Sequence, residues 1–96
     1  MSLQADTAAL RNLGKQVVAN SEEYQAEINK IYATVDNLRE NWKGEDNQAF
    51  VNKVYEYKEG LEALGKEIKN YGFFLDATAG KIERVQSDIT SAASNI

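Results

Sequence analysis

The 96-residue sequence contains no cysteine, no histidine and no proline. Without cysteine and histidine there is no disulfide, no thiolate nucleophile, no imidazole base, and almost none of the chemistry that holds zinc or haem. Without proline nothing in the chain forces a helix to kink or stop. Long apolar runs are missing as well: no stretch approaches the ~20 consecutive apolar residues that cross a bilayer, and no apolar segment follows a basic N-terminus. A cleavable signal peptide is therefore not expected. Charge of one sign is not gathered anywhere. The 11 basic and 15 acidic residues, net −4, are interspersed, which argues against nucleic acid as a ligand.

What is present is periodicity. From Phe50 onward, apolar residues recur in alternating steps of four and three: Phe50, Val54, Tyr57, Leu61, Leu64, Ile68, Tyr71, Leu75, Thr78, Ile82, Val85 and Ile89. Only Thr78 breaks the apolar character. Such a run predicts an amphipathic helix with a coiled-coil seam and fits no strand. Upstream, Leu10, Gly14, Val17, Ser21, Tyr24, Ile28, Ile31, Val35, Leu38 and Trp42 form a similar series, widened by Leu13 and Val18 and interrupted at Gly14 and Ser21.

Between the two series, Gly44 can supply a positive φ, and Glu45 and Asp46 favour a helix N-terminus. The expected fold is all-α: a two-helix antiparallel hairpin in a single domain. Helix 1 is placed at about residues 6–40 with Asp6 as N-cap, the turn at about 41–46, helix 2 at about 47–86, and a flexible tail at about 87–96. Each helix would extend roughly 50 Å at about 1.5 Å per residue. A rod of two helices cannot enclose a substantial core by itself, so a partner is expected.

A second row refines that expectation. Gly65, Gly72 and Ala79 fall seven residues apart beside the main seam of helix 2. Each glycine costs a helix about 1 kcal/mol relative to alanine, a cost explained if a helix of a second hairpin packs closely there in a four-helix bundle. Phe73 and Phe74 form an aromatic pair that can mark a further partner contact.

Candidate chemistry is otherwise sparse. Glu22, Glu23 and Glu27 read as a charged helix face, and Glu45 with Asp46 as a helix start. Neither offers convergent ligands, and the EF-hand spacing is absent. Lys53, Lys58, Lys66, Lys69 and Lys81 alternate with acids, as on a solvated helix; membrane-surface binding stays open but wants a more basic polar face. No catalytic residue, metal site, cofactor or small-molecule substrate is expected.

The turn reads Trp42-Lys43-Gly44, then four residues, then Ala49-Phe50. With a helix on each side and about a hundred residues in all, the whole chain resembles the WXG family, the early secreted antigenic target-like proteins of mycobacteria and their Gram-positive relatives. The resemblance implies a non-enzymatic hairpin that forms a homodimer, or a heterodimer with a WXG-like paralogue. It also implies export through a type VII secretion system with its membrane-bound ATPase, and a role as effector or escort. On residue chemistry alone Trp42 is a plug at the end of the hairpin; the resemblance makes it, with Gly44, half of an export signal. One departure stands out. Family members often carry Tyr-x-x-x-Asp or Tyr-x-x-x-Glu near the end of helix 2, where this chain has Ile82 and Gln86. Tyr55 and Glu59 match that spacing in the wrong half of the helix and read as solvated surface. An intracellular helical adaptor is the competing reading.

Overall fold

The computed structural model describes residues 3–42 and 44–95, with side chains from Asp6 onward. Lys43 of the turn motif and Ile96 of the expected tail lie outside them. Two helices account for nearly everything: α1, Leu3–Asn41, and α2, Glu45–Ser94. They run antiparallel in a rod of 79 × 17 × 16 Å. Asp6 lies inside the first turn of α1 rather than capping it, and residues 87–94, expected as a tail, belong to α2.

The reversal is made at Gly44, whose φ of 138° and ψ of 163° suit a residue without a Cβ. Glu45 and Asp46 follow in the first turn of α2, where carboxylates favour the helix dipole.

The helices meet along rows spaced by seven. On α1 the buried positions are Thr7, Gly14, Ser21, Ile28 and Val35, joined by Tyr32. On α2 they are Val51, Gly65, Gly72 and Ala79, with Asn47 and Leu75. Near the turn, Ile28, Tyr32, Val35 and Val51 fill the interface with bulk. Toward the open end the filling changes to small residues.

This corrects the placement of the small row. A Cβ on Gly72 would stand 2.7 Å from the Gly14 carbonyl oxygen and 2.7 Å from Val18 Cγ2; one on Gly14 would stand 2.7 Å from the Gly72 carbonyl oxygen. A Cβ on Gly65 would meet the Tyr24 ring at 3.1 Å. Gly65, Gly72 and Ala79 therefore face α1 of their own chain, not a second hairpin. Gly14 and Ser21, which look like interruptions of the first helix's seam, are part of its contact line.

Hydrogen bonds knit the helices where rings replace glycines. Tyr24 donates to the Leu61 carbonyl at 2.9 Å and Tyr32 to that of Val54 at 2.8 Å. Ser21 keeps its hydroxyl within α1, on the Val18 carbonyl.

Candidate functional site

Because α1 and α2 approach along the small row, the main apolar row of α2 is turned aside. One residue along a helix is about 100° of rotation, since a turn takes about 3.6 residues. The row Phe50, Tyr57, Leu64, Tyr71 precedes the small row by one residue and so points out of the side of the hairpin. Tyr57 is 59% exposed and Tyr71 58%, and Phe50 and Leu64 each leave about half their surface open. The intermediate row Val54, Leu61, Ile68 is half-buried, and Leu75 is buried. On α1 the same division puts Ile28 and Val35 inside, while Ile31 and Leu38 stay exposed. The residues of the expected single seam are thus split between an internal contact and an external face.

The two external rows share a side. Ile31, Val54, Tyr57, Gly60 and Leu61 line one shallow groove between the helices. Phe74 extends the face, stacked on Tyr71 with ring centroids 6.2 Å apart. Phe73, one residue earlier, is exposed but turns away from it. Toward the open end of the hairpin, Ile82, Val85 and Ile89 continue the apolar strip on α2.

The opposite side is charged. Arg11 bridges Asp76 at 3.0 Å and Glu83 at 2.9 Å, and Lys69 lies 3.7 Å from Glu22. Glu83, then Asp76, hold the Arg11 guanidinium even more firmly protonated than usual. Nearer the turn, Tyr55 donates its hydroxyl to Asp36 and meets Tyr32 edge-on at 5.3 Å. Arg39 lies over the Tyr55 ring, and Lys58 sits within 5.8 Å of both rings. The hydrogen bond to Asp36, then burial, raise the Tyr55 pKa above its ordinary value; burial is the leading cause for Tyr32. Tyr55 is therefore a tether between helices, not the solvated surface residue expected from its position just after the turn.

At the turn itself, the Trp42 N–H donates to the Leu38 carbonyl at 2.8 Å, and the indole is half-exposed. Asn47 is only 2% exposed. Its side-chain amide donates to the Leu38 carbonyl at 3.4 Å and to the Trp42 carbonyl, which closes the end of α1 onto the start of α2. The four-three rhythm, carried one step back from Phe50, reaches Asn47, but the apolar series passes over it because it is polar. The signal available was an amide five residues after a helix-terminal tryptophan, where orphan carbonyls need a donor.

No three acidic side chains converge on a metal-sized site among the described residues, and no described helix is long and apolar enough to cross a membrane. The chemistry on offer is contact chemistry: an apolar face, a charged face, and an exposed tryptophan on a braced turn.

A hairpin of two long helices reversed at Trp-x-Gly defines a class of small helical proteins. The chain belongs to the WXG100 family, described as proteins of 100 residues with WXG, whose model matches residues 2–87. It is similar to the ESAT-6-like protein EsxB of Corynebacterium diphtheriae, 23% identical over 93 residues that cover 97% of this chain and 89% of that protein. No solved structure gives a significant match.

Proposed function

We propose that this protein is a type VII secretion substrate, exported as a dimer of hairpins, that acts by protein contact as an effector or escort rather than as an enzyme. The observation that carries the reading is the apolar face that its own fold leaves uncovered. On α2, the rings of Phe50, Tyr57, Tyr71 and Phe74 expose about half their surface. At ~150–250 Å² per aromatic side chain they leave on the order of 400 Å² open. Ile31, Leu38, Leu64 and Val85 enlarge that area toward the ~800 Å² per partner of a standard interface. A second hairpin, from an identical chain or a paralogue, covers such a face and completes a four-helix bundle.

Trp42 and Gly44 at the braced turn supply the element that the secretion ATPase recognises. Secretion is tested by the amount of protein in culture supernatant with and without that ATPase, against a cytosolic lysis marker. Release that depends on the ATPase supports the reading, and equal retention in both strains refutes it. The Ile82 and Gln86 positions favour one alternative, an intracellular adaptor that recruits helical segments, because no tyrosine-based signal stands there. Recovery of a helical partner from cytosol, with no export, would select it.

A further inference from the structure

We infer that the Asn47 side-chain amide fixes the direction in which the Trp42 indole is presented, which makes Asn47 a positioning residue for recognition of the turn. The inference rests on the proposal above that the turn is what the secretion machinery reads. A helix that ends leaves its last carbonyls without intrahelical donors, and a common remedy is a glycine in the left-handed helical conformation. Here that remedy is not used: Gly44, at φ 138° and ψ 163°, lies outside that conformation. Asn47 supplies a donor to the Trp42 carbonyl instead, and joins the Trp42 N–H on the Leu38 carbonyl. Its Nδ2 reaches the Leu38 and Trp42 carbonyls from within the first turn of α2.

The consequence falls on Trp42. Its N–H is held by the Leu38 carbonyl and its C=O by Asn47, so the backbone that carries the indole is pinned on both sides. The indole itself is half-exposed, so its direction is set largely by that backbone.

The residue type is informative. The first turn of a helix favours carboxylates, and Glu45 and Asp46 are there. A carboxylate at position 47 would set its oxygens against two carbonyl oxygens, whereas an amide can donate to both. The amide is retained although its own Oδ1 is buried with no partner among the described residues, an arrangement that carries a desolvation cost. Its donors are what the position requires.

The experiment compares wild type with Asn47→Asp and Asn47→Ala. Trp42 is the single tryptophan, so fluorescence anisotropy reports the turn directly. At neutral pH both variants are expected to keep their helical circular dichroism, lose Trp42 anisotropy, and be secreted about fivefold less, the factor that one lost hydrogen bond of ~1 kcal/mol brings. Acidification should restore anisotropy in Asn47→Asp alone, because the protonated carboxyl regains one O–H donor. Glu45, Asp46, Arg39 and Glu40 are common to all three proteins, so wild type and Asn47→Ala control for their titration. A simple packing role would give no such recovery. Unchanged anisotropy in Asn47→Ala overturns the inference, and so does lost anisotropy with undiminished secretion. If wild type is not secreted at all, the proposed function fails, while anisotropy still decides whether Asn47 holds Trp42.

Discussion

Replacing Gly72 with alanine should destabilise the hairpin even though it improves the helix. Alanine gains about 1 kcal/mol of helix propensity over glycine. The new methyl, however, would lie 2.7 Å from the Gly14 oxygen, 2.7 Å from Val18 Cγ2 and 3.0 Å from the Val18 nitrogen. Two of those atoms are backbone, held in a helix that cannot swing a side chain away. The helices must separate, and overpacking of this kind costs about 1–3 kcal/mol, with rigid backbone neighbours toward the upper end. The net expectation is a loss of ~1–2 kcal/mol, or roughly 5–15 °C in Tm for a domain of this size. Gly60 is the internal control for the single hairpin, at concentrations that keep it monomeric, because a Cβ there meets nothing within 4 Å of its own chain although the residue lines the groove of the uncovered face. Gly60→Ala should gain ~0.5–1 kcal/mol. Thermal and urea unfolding followed by circular dichroism would be run at several protein concentrations, so that changes in association are separated from changes within the hairpin. A Gly72→Ala protein as stable as wild type, or a gain equal to that of Gly60→Ala, would refute the close approach of α1 and α2.

Three further outcomes are expected. Tyr57→Lys and Leu64→Lys place charge on the uncovered face, where an ammonium desolvated by the proposed second hairpin is poorly tolerated; sedimentation should show that proposed dimer weakened, with helical content retained. Trp42→Ala removes a half-exposed side chain, so it should shift Tm little yet abolish appearance in the supernatant. The neutral phenol of Tyr55 is favoured in the folded state, so its contribution to stability is complete below the unfolded value near 10 and is lost as pH rises through the raised folded value. A tyrosinate absorbance titration should show a late-ionising component that shrinks in Tyr55→Phe, with Tyr32 supplying what remains.

The helices and their reversal were legible because both signals are local: a four-three apolar rhythm on each side, and Gly44 where the backbone takes a positive φ. What could not be read was the rotation of each helix about its axis. Periodicity marks an apolar stripe but does not say which edge of it meets the other half of the chain. The rings of α2 look like the natural core row, yet Gly72 against Gly14 allows closer backbone approach than any pair of large side chains could. Tyr55 illustrates the same gap, since its engagement by Asp36, Tyr32, Arg39 and Lys58 depends on which face of α1 lies opposite. Asn47 was invisible for another reason. It stands one step of three before Phe50 on the same rhythm, but a polar side chain there does not register as seam, and its role follows only from where the carbonyls of Leu38 and Trp42 end.

That rotation ties folding to association. Were α2 turned by one residue so that Phe50, Tyr57, Leu64 and Tyr71 faced α1, the hairpin would bury its largest side chains and have little left to offer a partner. Packing through Gly14, Gly65, Gly72 and Ala79 instead gives up area inside the hairpin, and places an aromatic-rich row on its surface. The internal contact then exchanges apolar bulk for short backbone separation, and that bulk is what the proposed second hairpin would cover. A substitution that enlarges the small row therefore acts twice: it pushes the helices apart, and it changes the angle at which the external rows on α1 and α2 present themselves together. Gly72→Ala should for this reason weaken dimerisation as well as the hairpin, although Gly72 itself touches only α1.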